Sequence, residues 1–237
     1  MGLRALSLSD ANGGAGADGL SACLVVEALA QGDPDIAVVC AHTLTLARLL
    51  FDECMTPPQR SQYLAAFNGD AAFHLAYAGA DAKAGLAADY HRPRSQPVKS
   101  LVNAEPAGDG WELSGEITNV ANAGVAKLFA VDVQTPAGIK TVLVARDAPG
   151  LSIAEPSQAR GGATLRYVHG APGKLTLNEC AVHAAGVLPR RVYSDYAARV
   201  TPLITAANIG VGQAAYEAAI DYTKLRRQGG RKTIEHQ

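Results

Sequence analysis

After a short extended start and a glycine-rich turn over residues 1–17, the apolar positions recur at helical spacing to about residue 70. Leu20–Ala30 forms one such stretch after a glycine-rich turn (NGGAG at 12–16), and Gly32 is predicted to close it in a left-handed cap. A second helix is predicted from Asp33 or Asp35 as its cap, with Pro34 in its first turn and a nearly all-apolar body from Ile36 to Phe51. A helix apolar on every side is a buried one. Thr56 followed by Pro57 and Pro58 starts a third, shorter helix through about Phe67, ended by Asn68-Gly69.

From about residue 70 the period shortens to that of strands. Val98–Val102, Trp111–Gly115, Lys127–Val133, Lys140–Ala145 and Lys174–Asn178 are β-prone runs separated by Gly, Pro, Asn and Asp clusters, the spacing of an antiparallel barrel or sandwich. After Pro189 an alanine-rich helical pattern runs from 192 to about 227, interrupted by Pro202, Gly210 and Gly212. At ~1.5 Å per residue such a helix is roughly 50 Å long. The last residues, to Gln237, look like the first turn of a further helix, so the chain is expected to be part of a longer fold. Helices, strands and then one long helix come in blocks, which argues for an α+β chain and against a parallel α/β sheet. The expected divisions are an incomplete helical N-terminal domain at 1–70, a β middle domain at 71–188, and the start of a C-terminal helical bundle at 189–237.

Composition removes several function classes. With 21 Lys plus Arg against 22 Asp plus Glu in 237 residues, no global field favours nucleic acid or an anionic membrane surface. Cys23, Cys40, Cys54 and Cys180 form no CxxC pair or zinc spacing and read as reduced core residues, so a cytoplasmic location is expected. No apolar stretch reaches the ~20 residues of a membrane span. Gly14 to Gly19 (GAGADG) matches the GxGxxG dinucleotide fingerprint, with the apolar Leu3–Leu8 before it as a possible strand. The acidic residue such a site needs should follow a second strand, yet Asp33 and Asp35 precede an apolar run and suit a helix cap. Nucleophile-elbow, Walker and HExxH motifs are absent. Cys40 and His42 should point to different faces of one helix, His169 should sit in a solvated loop, and Trp111 should anchor a strand.

Five stretches in order give the chain a resemblance to the acyl-CoA dehydrogenase flavoproteins. They are NGGAG at 12–16 with its helix, MTPPQRSQYL at 55–64, GWELSG at 110–115 leading to NAGVAKLF at 122–129, LTLNECAVH at 175–183, and the long helix ending RRQGGRKTIEHQ at 226–237. The resemblance implies a helical, β, helical order, FAD as cofactor, and α,β-dehydrogenation of an acyl-CoA thioester, in which a carboxylate takes the α proton and flavin N5 takes the β hydride. It implies oligomers in which one subunit's arginine reaches its neighbour's FAD. Arg226 falls at that arginine's position, and Gln228 and Gln237 fall at further FAD-contacting positions. From the residues alone, Arg226 and Arg227 also read as a basic helix end facing its own dipole.

Departures accompany the matches. The flavin loop common in that family (TEPxxGSD) corresponds to residues 73–86, where only a glycine and an aspartate are shared, and its WITN strand reads NVAN at 119–122. The family's usual general base lies beyond Gln237; in a minority of members it lies at the position of Val200, which cannot take a proton. Ala198 and Thr201 stand where the family has an aspartate and an arginine. Three readings follow: an acyl-CoA dehydrogenase-like flavoprotein, a non-catalytic subunit paired with an active paralogue, and an NAD(P)-binding reductase using Gly14 to Gly19.

Overall fold

The computed structural model describes residues 2–79, 102–154 and 172–236. Helix α1 runs Gly19–Gly32, started by Asp18, whose carboxylate accepts from the Ser21 N–H at 2.8 Å. The left-handed cap expected at Gly32 does not form. The helix instead ends into an extended Asp33 (φ −149°), because that residue already caps the next helix through Asp35 N at 2.9 Å and Ile36 N at 3.1 Å. Helix α2, Pro34–Ala47, continues without a break through a π-helical segment, Arg48–Cys54.

The continuous Pro34–Cys54 helix has 21 residues and is apolar and long enough to cross a membrane by length and composition. That corrects the expectation that no stretch reaches such a length. Its apolar window is 67% buried inside the protein, as an all-round apolar core helix should be. Helix α3, Pro57–Gly69, opens where the Gln59 side chain accepts from the Thr56 N–H at 2.9 Å. The Gln59 amide also donates to the carbonyls of Ala185 and Val187, tying α3 to the segment that follows the sheet.

At the N-terminus the strand that a dinucleotide fold requires is absent, since Leu3–Ala5 is a 3-10 turn. Gly14 is needed for closeness instead, because a Cβ there would sit 1.9 Å from the Leu8 carbonyl oxygen. The fingerprint is a tight turn.

Among the described residues the sheet has seven strands, β1 His74–Ala78, β2 Val102–Ala107, β3 Gly110–Val120, β4 Ala126–Thr135, β5 Gly138–Ala145, β6 Leu151–Ala154 and β7 Gly173–His183, in the order β1-β4-β2-β3-β7-β6, with β5 on β4. Pairing is antiparallel except that β1 enters parallel to β4 and a single β2–β4 pair is parallel. Trp111 anchors β3 opposite Pro106 and Val182, as expected, whereas all but Val102 of the run at 98–102 lies outside the described residues.

Helix α4 is one uninterrupted helix of 33 residues, Tyr193–Leu225. Pro202 sits inside it, and Gly210 allows α1 to approach so closely that a Cβ there would lie 2.2 Å from the Glu27 carbonyl oxygen. The chain then turns through a small hairpin, β8 Arg227–Gln228 and β9 Arg231–Lys232, into a 3-10 turn at Thr233–Glu235. Three apolar clusters hold these parts together. One lies among α1, α2 and α4, one fills the sheet, and the third joins α2, α3, β1, β4 and the start of α4. This is an α+β fold with a helical N-terminal part, a curled sheet and a long C-terminal helix.

Candidate functional site

Strand β1 is buried from Leu75 on and leads into the residues corresponding to the flavin loop, of which all after Gly79 lie outside the described residues. Its Tyr77 hydroxyl donates to the Asp132 carboxylate at 2.8 Å. Asp132, in the apolar strand β4, is fully buried and also accepts from the Thr141 hydroxyl at 2.7 Å and from Arg191 Nε at 2.5 Å. A buried carboxylate persists only when its oxygens are satisfied in this way. Burial, then the neighbouring Asp132 charge, pushes the Tyr77 phenol well above its ordinary value. For Arg191 burial opposes the charge, but Asp132 more than offsets it and the guanidinium is held above its usual value.

One layer deeper, Tyr77 and Tyr196 stack with ring centroids 4.8 Å apart, and the Tyr196 hydroxyl lies 2.7 Å from His42 Nδ1. Burial pushes the His42 imidazole down to about 4 and the Tyr196 phenol upward. His42 joins α2 to α4, and Cys40 is a buried free cysteine on the same helix. Val200, one turn beyond Tyr196 on α4, is buried in the same cluster, so the position that aligns with a family base is an apolar core position here. Sequence reasoning missed the group around Asp132. The available signal was one aspartate in the middle of an otherwise apolar strand, KLFAVDV at 127–133.

The NVAN segment ends β3 and begins a turn. Asn119 and Asn122 both adopt left-handed backbone conformations (φ 59° and 61°), which asparagine tolerates better than most residues. Asn122 is fully buried and faces inward: its Nδ2 donates to the carbonyls of Val39 and Leu75, both at 3.1 Å, while its Oδ1 is sealed without a donor among the described residues. Arg146 braces the turn through the carbonyls of Ala123 and Ala126. Asn122 therefore links sheet to helix, and the aromatic and hydroxyl groups of the family's strand have no replacement in Asn119 and Ala121.

Arg226 caps the end of α4, Gln228 lies two residues on in the terminal hairpin, and Gln237 lies outside the described residues. Arg226 is exposed, donates to the Tyr222 hydroxyl and lies over the Tyr222 ring at 5.7 Å. The Gln228 carbonyl is 2.9 Å from His236 Nε2, which folds the hairpin back on itself. Gly229 and Gly230 make the turn with positive φ. Arg226, Arg227, Arg231 and Lys232 all face solvent here, against the single acid Glu235. Four cations on a glycine turn fit the pyrophosphate of a flavin dinucleotide. Among the described residues this hairpin packs on the end of α4, far along a helix roughly 50 Å long from the sheet where the flavin loop begins. No group of three or more His, Cys, Asp or Glu that could hold a metal occurs among the described residues.

The fold thus defines a class, an α+β chain with a helical entry, a curled sheet and a long helix ending in a basic hairpin. The acyl-CoA dehydrogenase N-terminal domain family matches residues 1–69. Over its whole length the chain is 26% identical to the mitochondrial short/branched chain specific acyl-CoA dehydrogenase of Bos taurus, and over 97% of its length 27% identical to a probable acyl-CoA dehydrogenase of Mycobacterium leprae. It covers 54% and 57% of those proteins, so it spans about half the length of the curated relatives it matches. In fold it is similar to a glutaryl-CoA dehydrogenase from Mycobacterium smegmatis in complex with FADH2 (TM-score 0.82, 20% identity, 99% of this chain and 58% of that one). It is also similar to butyryl-CoA dehydrogenase from Megasphaera elsdenii (TM-score 0.81, 19% identity, 99% and 61%). The chain is thus similar to acyl-CoA dehydrogenases in sequence along its whole length, and its residues 1–69 match that family's N-terminal domain.

Proposed function

We propose that this chain acts as part of an FAD-dependent oxidoreductase that desaturates an acyl-CoA thioester between its α and β carbons, and that its terminal hairpin serves the cofactor of a neighbouring subunit. The observation that carries the reading is the exposed basic hairpin, with Arg226 and Gln228 two positions apart at the far end of α4 and away from the chain's own sheet. FAD, when bound, supplies the N5 atom that accepts the hydride. Arg226 would pair with pyrophosphate oxygens through its planar fork, and Gln228 would add a neutral donor beside it. Tyr77, Asp132 and Arg191 would hold the end of β1, and with it the start of the flavin loop, in a fixed place against α4.

A second reading, a non-catalytic subunit that completes an active paralogue's FAD site, is favoured by one specific observation. Val200 is buried, and Ala198 and Thr201 carry no charge, so this part of α4 offers no proton acceptor. The purified chain titrated with FAD separates the two. Bound flavin absorption near one per chain supports the first reading, and a chain that stays colourless supports the second. Anaerobic acyl-CoA added to a flavin-loaded chain should leave the flavin unbleached, because the described residues provide no base where the family has one. Bleaching by this chain alone would overturn that assignment.

A further inference from the structure

A cleft of about 620 Å³ opens among the start of α1, the end of α2 and the first third of α4. Every lining residue comes from 7–53 or 198–203, so neither the sheet nor the terminal hairpin takes part. Ala22, Leu44 and Leu203 form a buried apolar floor, and Leu20, an exposed leucine at 70%, stands at the rim. Apolar side chains lining a concave space of this size are the usual setting of a small-molecule site.

The charges at the mouth are unequally engaged. Glu53 is bound through both oxygens by the Arg199 guanidinium, at 2.6 and 2.9 Å. The Asp18 carboxylate is committed to the α1 N-terminus, and its bonds to Ser21 hold it below the usual carboxylate range. Arg48 is different. Among the described residues it reaches only the Ala17 carbonyl at 3.3 Å and Glu53 at 3.8 Å, both at the long end of useful distance. A guanidinium with donors to spare above an apolar floor is complementary to a molecule with one anionic head and one linear apolar tail.

We infer that this cleft is a binding site for a linear amphipathic monoanion of the fatty carboxylate type, with its head on Arg48 and its chain on Leu20, Leu44 and Leu203. The site is separate from the flavin corner and does not depend on the function proposed above.

Cys23 lines the same cleft and provides the probe. It is half-buried, whereas Cys40, Cys54 and Cys180 are 7%, 3% and 0% exposed, so iodoacetamide should label Cys23 first. Burial raises the Cys23 thiol, and the labelling is therefore run at alkaline pH. Sodium decanoate, kept below micelle formation, should slow Cys23 alkylation in the cofactor-free chain. Across hexanoate, octanoate and decanoate the protecting concentration should fall roughly fourfold per methylene. Arg48→Gln should weaken protection about tenfold, and the exposed change Leu20→Asp should remove it. Titration calorimetry on Cys23→Ser should give the same ranking without the label. Equal protection by neutral decanol, undiminished protection in Arg48→Gln, or no protection by decanoate in a chain that is folded by circular dichroism would each overturn the assignment. Because FAD is absent throughout, none of these results bears on the flavin titration.

Discussion

Asp132 shows how one residue can join separate parts of this fold. It sits fully buried in β4, yet its donors come from β1 (Tyr77), β5 (Thr141) and the segment before α4 (Arg191). Breaking a buried pair leaves an uncompensated charge, which typically costs about 3–5 kcal/mol. Arg191 keeps some solvent contact, so Asp132→Ala should fall near the lower end, about 3 kcal/mol by urea unfolding, while Tyr77→Phe should cost about 1 kcal/mol. Equal costs for the two would show that Arg191 is indifferent to Asp132. His42 gives a pH dependence. Its folded pKa lies near 4, below the ordinary 6.5, so the unfolded chain binds the proton first. The stability contributed is complete above about pH 6.5 and is lost as pH falls towards 4. The urea midpoint should drop over that window, and His42→Gln should flatten the drop; an unchanged slope in the variant would remove His42 from the explanation. At this scale the sequence was legible where a residue acts alone, as with Asp33 or Trp111. It was silent where the role depends on what faces the residue, as with Asp132, because partners 9 to 59 positions away are set by topology.

At the scale of elements, α4 divides at Gly210. Up to that point it packs on α1 and α2, and Gly210 is required because the Glu27 carbonyl occupies the space a side chain would need. Gly212, two residues on, faces solvent, and a Cβ added there would meet nothing within 4 Å. Alanine favours a helix interior over glycine by about 1 kcal/mol. Gly212→Ala should therefore stabilise by roughly 0.5–1 kcal/mol, while Gly210→Ala should destabilise despite the same propensity gain. A thermal melt of the pair reads the difference directly, and a stabilised Gly210→Ala would mean that α1 and α4 are not held this close. Sequence periodicity placed α1 to α4 within a few residues. It could not distinguish the two glycines, since the neighbour that makes one indispensable is a carbonyl from a different helix.

For the molecule as a whole, the long helix places the basic hairpin away from the sheet, and the proposed function would then depend on assembly. If Arg226 serves a neighbour's cofactor, Arg226→Gln should weaken FAD retention about tenfold or more, the usual scale for losing a charge-assisted pair. Mixing it with a wild-type partner should restore binding at half the sites; loss confined to the mutant subunit's own flavin would place the arginine in cis. Size-exclusion chromatography of the flavin-loaded chain provides the accompanying check, because a monomer that holds FAD fully would refute a shared site.

The sequence by itself determined the block order of helices, strands and long helix, most helix boundaries, and the resemblance to the acyl-CoA dehydrogenases. These follow from local periodicity, capping residues and motif order, which are properties of neighbouring residues. Only the tertiary structure decided that the glycine fingerprint is a turn, that Asn122 faces the core, that Val200 is buried in the apolar core, and that Arg48 overlooks an apolar cleft. Each of these depends on which distant segments meet, and burial and pairing across such segments are not properties of any stretch of sequence taken alone.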